Sequence, residues 1–282
     1  MNQAFSFSRW LLLIAKHWSE NRKKYLLGLT AITGIMLIWF LFNIVMEPYH
    51  PMAGGTQVST YFVGLFIVGC LYASTLFSEL ASKAKGINYL SLPASQLEKT
   101  LCALLYGVVV FFIAYTLIFY LSDIIMVKVG NEIAYTYWQK HHSTAQVFRP
   151  QEVENVFWNS RRMNTGDINP YFVILLSYFA VQSAYILGSV YFSRFSFIKT
   201  TVALLVLWLF IIVFVGKVID SFMPDGNYFE GLTSYRLNTG SNEEKIIRLP
   251  EWINSGAAFL LKYAFAPILW TVTYFRVKEK EI

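Results

Sequence analysis

Six stretches of the chain run for about 20 residues or more with almost no charge, the length an α-helix needs to cross a hydrocarbon core about 30 Å thick. They fall at about 25–46, 58–77, 101–127, 171–192, 201–222 and 257–275. In lipid every backbone amide must be satisfied without water, so such runs admit few folds. The expected architecture is an all-α membrane protein, one domain over residues 1–282, with six transmembrane helices. Composition agrees: 56% of the 282 residues are apolar and only 14% are charged, which excludes an ordinary soluble enzyme.

Charge placement orients the bundle. Lys and Arg gather before the first run (Arg22, Lys23, Lys24), between the second and third (Lys83, Lys85, Lys99), between the fourth and fifth (Arg194, Lys199) and after the sixth. The opposite side is slightly acidic, and its short loop 47–57 holds no Lys or Arg. The positive-inside rule therefore places both termini in the cytoplasm. The net charge of +6 is too modest and too dispersed for a nucleic-acid partner. Cys70 and Cys102 both lie in apolar runs and imply no disulfide framework, and residues 11–15 are too short for the core of a cleavable signal peptide.

Between the spans, Phe7, Trp10, Leu11, Ile14 and Trp18 recur at helical spacing, which predicts an interfacial amphipathic helix over 4–20, followed by a bend at 21–24. The inner segment 78–99 is expected to break at Gly86 and to turn a corner at Pro93. Ser95 and Glu98 then form a capping box that starts the next helix at about Gln96. Two outer insertions, 128–170 and 223–251, make a small outer loop region. A short helix is expected over 150–162 and a turn-rich cap over 223–251. Ala180, Ala184 and Gly188 repeat every four residues, a candidate helix-packing face, and Pro267 is expected to bend the sixth span.

Chemistry-bearing motifs are sparse. Gly216 and Lys217 are followed by Val218 inside a span, so no Walker A loop exists and the chain is not expected to be an enzyme. Neither His141 with His142 nor Glu47 with His50 supplies the convergent ligands of a metal site. The charges that do enter the spans, Asp123, Lys217 and Asp220 among them, fall near outer ends, where they anchor a boundary, pair at the surface or form an outer gate.

The amphipathic lead-in, the six runs with both ends inside, and the segment Tyr89-Leu-Ser-Leu-Pro-Ala-Ser-Gln-Leu-Glu-Lys99 together resemble ABC type-2 transporter permeases. The ending from Trp270 to Ile282 is similar to the tail of such permeases from the Bacteroidetes. The resemblance implies an exporter in a bacterial inner membrane, among membrane lipids. It also implies a second permease, identical or homologous, and cytoplasmic ABC ATPase subunits that carry the ATP and Mg this chain does not bind. The first inner loop would couple the ATPase to the spans, with Glu79, Lys83 and Lys85 as a polar rim and Tyr89, Leu90 and Leu92 as apolar anchors. In that family apolar re-entrant helices often precede the last span, where this chain has the polar 223–251. The residues alone leave open a secondary transporter or channel, and a noncatalytic membrane scaffold or sensor.

Overall fold

The computed structural model describes residues 5–81, 83–141, 148–158, 169–222, 228–229, 234–238, 244–248, 250, 252, 256 and 259–280. Five helices are long and apolar enough to cross a membrane: Phe7–Met46, Gly54–Leu80, Gln96–Lys140, Pro170–Tyr191 and Ser196–Phe214. They mark a multi-pass membrane protein. The sixth apolar run is helical over 259–279, but Lys262 and Arg276 make it less apolar than the five.

Helix α1 (Phe7–Met46) has 40 residues, about 60 Å at 1.5 Å per residue and about twice the hydrocarbon thickness. The bend expected at 21–24 between two helices is corrected to one helix without a break. No Gly or Pro occurs in it before Gly28, so the charged run interrupts the apolar pattern and not the backbone ladder. Helix α2 (Gly54–Ala73) ends in a 3-10 turn (Ser78–Ala81), after which α3 (Lys83–Leu90) and α4 (Gln96–Leu104) follow. A π-helical turn (Leu105–Val110) joins α4 to α5 (Phe111–His141). Then come α6 (Pro170–Tyr191) and α7 (Ser196–Phe222). A second π-helical turn (Leu260–Ala264) leads into α8 (Phe265–Glu279). Pro267 stands just after that turn, where its ring would otherwise press on the carbonyl four residues back.

Lipid-embedded helices gain little from the hydrophobic effect against one another, so close packing and hydrogen bonds hold the bundle. Phe40, Tyr61, Leu65, Tyr115, Phe119 and Tyr178 form the larger core between α1, α2, α5 and α6. Phe77, Ile186 and Val277 anchor a second between the end of α2, α6 and α8. The Tyr115 hydroxyl donates to the Tyr61 carbonyl at 2.9 Å, and Gln182 Nε2 donates to the Gly107 carbonyl at 2.9 Å. Gly107 lies in the π-turn, and a Cβ there would run into Leu76. Of the predicted packing face, Gly188 is buried where α6 meets α7, and a Cβ on it would collide with Thr200; Ala180 and Ala184 are half-buried. Gly188→Leu is therefore expected to cost about 1–3 kcal/mol of stability, through strain at a packed contact. Ala184→Leu should cost less, as thermal unfolding in detergent would report. Beyond this contact α7 leaves the bundle, and its residues 205–214 are exposed on every face, as a lipid-facing helix requires.

Three expectations for the outer region are corrected. The helix through Asp123 does not end near residue 127 but continues to His141, so the first third of the 128–170 insertion is helical. Residues 150–158 are not helical. Side-chain amides have captured their backbone. Gln57 Nε2 donates to the Glu152 carbonyl at 3.2 Å, and its Oε1 accepts the Glu154 N–H at 2.9 Å. Asn131 clasps both backbone groups of Gln151 in the same way, at 2.9 and 3.0 Å. Finally, the bundle is all-helical, but the second insertion, expected as a turn-rich cap, holds a small sheet. Strands β1 (Tyr228–Phe229), β2 (Ser234–Asn238) and β3 (Glu244–Arg248) make an antiparallel sheet in the second insertion, with Tyr235 opposite Ile247. Its charges and turn residues concealed the strand alternation.

Candidate functional site

At the basic end, the chain between α2 and α4 is an ordered unit. The 3-10 turn and α3 pack together, and Gly86 sits buried in α3 against the backbone of Glu79 and Leu80. The break expected at Gly86 is thus corrected: α3 runs through it, and a Cβ there would meet the turn only at ordinary van der Waals distance, 3.8–3.9 Å. Ser91 and Ala94 N–H groups bond back to Ile87 and Leu92, closing the corner that holds Pro93. Ser95 Oγ then accepts the Glu98 N–H at 3.2 Å while Glu98 Oε2 accepts the Ser95 N–H at 2.8 Å, so the capping box forms and α4 starts at Gln96.

The other oxygen of Glu98 has a partner that local spacing did not reveal. Oε1 accepts the Ser6 N–H at 2.7 Å and the Arg9 guanidinium at 3.0 Å, and the carboxylate is fully buried. One side chain therefore caps α4, caps the start of α1 and pairs with Arg9. The Tyr106 hydroxyl donates to the Ile14 carbonyl at 3.1 Å, fixing the same arm of α1 one turn further on. The face of that arm turned to the bundle carries Trp10, Ile14 and His17, while Phe7, Leu11, Leu12 and Trp18 remain exposed.

These elements enclose a cavity of about 430 Å³ between the arm of α1, the end of α2 and the start of α4. Of the predicted coupling residues, Glu79, Tyr89 and Leu92 line it, and the Lys99 ammonium lies 5.8 Å above the Tyr89 ring. Tyr89 and Leu92 are half-buried on its wall. Among the described side chains of α3, the apolar one most exposed is Ile87, at 67%, flanked by the exposed Asn88. Sequence reasoning passed over Ile87 because a lone isoleucine in a short polar helix reads as core. The backbones of Lys83, Lys85 and Leu90 belong to α3, while their side chains lie outside the described residues.

Among the described side chains, no hydrogen bond joins the outer-gate candidates Asp123 and Lys217. Asp123 is fully buried in α5 with neither carboxylate oxygen hydrogen-bonded, which corrects the expectation of a surface ion pair there. Lys217 is exposed on α7, and the Asp220 side chain lies outside the described residues. Beside Asp123 the 148–158 segment covers the end of the bundle away from the basic one: Val156 is buried with its N–H on the Tyr120 hydroxyl, and Phe157 packs against Tyr61 and Phe112. Gln57→Leu should free this segment, with faster hydrogen exchange at Glu154 and a loss of about 1–3 kcal/mol for the orphaned backbone groups. Among the described residues no three His, Cys, Asp or Glu converge as metal ligands; His142 lies outside them. Comparison with models of known protein families, with characterised proteins and with solved structures finds no match to this chain.

Proposed function

We propose that the chain is the membrane-spanning permease subunit of an ATP-driven exporter of the ABC type-2 kind. It has six spans, an α1 arm at the inner surface of a bacterial inner membrane, and both termini in the cytoplasm. A second permease completes the pathway, and separate cytoplasmic ATPase subunits bind ATP and Mg. The observation that carries the proposal is the inner segment. A short helix is presented at the basic end between two membrane-length helices, with Ile87 outward; the corner after it runs into the Ser95–Glu98 box that starts α4, and Lys99 of α4 lies over the Tyr89 ring of α3. Such a rigid joint turns a push on α3 into motion of the 45-residue Gln96–Lys140 helix. The exposed apolar residues on the α1 arm support its placement on the membrane surface.

Purification of the full chain from its native membrane in mild detergent tests this. A P-loop ATPase should accompany it in stoichiometric amount, and its absence from an intact, folded preparation would refute the proposal. Orientation is checked separately. With Cys70 and Cys102 replaced, Thr136→Cys should react with an impermeant thiol reagent on intact cells and Ser91→Cys should not; the reverse pattern would invert the topology.

The buried, unpartnered Asp123 favours a second reading, an ion-coupled transporter, since a carboxylate is rarely left in such a place without use. That reading expects ATP-independent flux abolished by Asp123→Asn.

A further inference from the structure

We propose that the basic end of the molecule, made of the α1 arm, the 3-10 turn, α3 and α4, rocks as one body against the rest of the bundle about a hinge level that runs through Gly28, the end of α2 and the π-turn Leu105–Val110. The inference goes beyond the permease assignment and does not depend on an ATPase. The body is tied together by its own contacts. Glu98 of α4 holds the start of α1, the Lys99 ammonium lies over the Tyr89 ring of α3, and α3 packs on the 3-10 turn. Three helices carry it, α1, α2 and the one that runs from α4 into α5. Each has a weak point at the same height, which the aromatic rings mark. Tyr25 of α1 stacks on Tyr106 at 5.8 Å and stands edge-on to Tyr72 of α2 at 6.3 Å, while Tyr72 stacks on Phe111 at 5.1 Å.

In α1, Gly28 follows Tyr25 by one turn, and nothing lies within 4 Å of where its Cβ would be, so no close contact calls for a glycine there. What remains is its low helix propensity, which makes the helix easier to bend at that point. In α2, the regular helix stops at Ala73, next to Tyr72, and the Ser74 and Thr75 hydroxyls donate back to the Leu71 and Tyr72 carbonyls at 2.7 and 2.8 Å. In the third helix the π-turn contains Tyr106 and ends before Phe111; such single turns inside α-helices are frequent at functional sites. Helix α6 crosses the level unbroken and supplies a latch. Its Gln182, fully buried, donates Nε2 to the Gly107 carbonyl inside the π-turn at 2.9 Å, and Gln182 Oε1 has no hydrogen-bond partner among the described residues. Nearer the basic end, Gln96 and Thr100 are buried on α4 without such partners, so these two side chains tie it to neither α6 nor α8. The second core joins the body to those helices, and apolar contact is non-directional, which permits a tilt.

The test is the distance between paired nitroxide labels, measured by double electron resonance on the full chain in lipid nanodiscs with Cys70 and Cys102 replaced. One pair joins the moving body to its surroundings, Leu12→Cys on the α1 arm and Ile198→Cys at the start of α7. The other lies beyond the hinge, Ile38→Cys on α1 and Ile174→Cys on α6. All four positions are exposed. The first pair should show two populations and the second only one. Gly28→Ala should cut the minor population of the first pair about fivefold, the difference in helix propensity between the two residues. Gln182→Leu should raise it about fivefold, the worth of one hydrogen bond. Gly34→Ala, in equally open surroundings further along α1, should leave it unchanged. A single population for the first pair in both the unaltered chain and Gln182→Leu would overturn the proposal. So would two populations in both pairs, or equal effects of the two glycine variants.

Discussion

Glu98→Ala should be the most damaging single substitution at the basic end, lowering stability in detergent by about 2–3 kcal/mol through the loss of charge-assisted hydrogen bonds in a buried place. The carboxylate accepts from Ser6, Arg9 and Ser95 at 2.7–3.0 Å, and its removal strands two helix-start amides at once. Its neighbours should matter less, in a fixed order. Ser95→Ala removes one cap, worth about 1 kcal/mol. Arg9→Ala removes a guanidinium whose side chain is 37% exposed, so water replaces much of the pairing and the cost stays under about 1 kcal/mol. Hydrogen exchange separates this from general loosening. In the Glu98→Ala protein the amides of residues 6–14 should lose protection while those of 111–120 keep it. Equal stability losses for the three variants would show that Glu98 is an ordinary cap and that the arm is held by something else.

Ile87→Asp should leave the protein inserted and folded yet cut ATP-dependent transport about tenfold or more. Burying an exposed apolar anchor in a partner's pocket is worth about 2 kcal/mol or more, and an aspartate there forfeits it and adds a desolvation cost. Folding should not suffer, because the side chain is 67% exposed and little packs against it. Tyr89→Ala acts differently. Tyr89 lines the cavity and lies under Lys99, so its loss should lower the stability of the inner segment as well as coupling. Transport and ATPase association measured on both variants distinguish a docking residue from a supporting one. Unchanged transport in Ile87→Asp would remove α3 as the contact.

The periodic parts of the molecule could be read directly from residues. Uncharged runs gave the helices, and Ser95 with Glu98, three residues apart, gave the start of α4. What stayed hidden depends on distant partners. Nothing near Glu98 announces Ser6 or Arg9, some 90 residues away, and nothing near Pro150 shows that Gln57 will take its segment's backbone out of a helix. Asp123 was visible as a charge near a span's end, but its burial follows from how α5 packs. The 21–24 run misled in the other direction, since charge interrupts an amphipathic pattern without breaking a helix that has no Gly or Pro on either side of the run before Gly28.

Among the possible measurements, site-specific cross-linking from α3 tests the central proposal most directly. With Cys70 and Cys102 replaced, Ile87→Cys carrying a short photoreactive thiol reagent is irradiated in native membranes, with Ile113→Cys in the lipid-exposed part of α5 as the control. The account predicts an adduct between the chain and a subunit bearing a Walker A motif from position 87 alone, diminished when the ATPase is held by vanadate in a different conformation. Position 87 reacting only with lipid or water, in membranes where ATP-dependent export is intact, would contradict it.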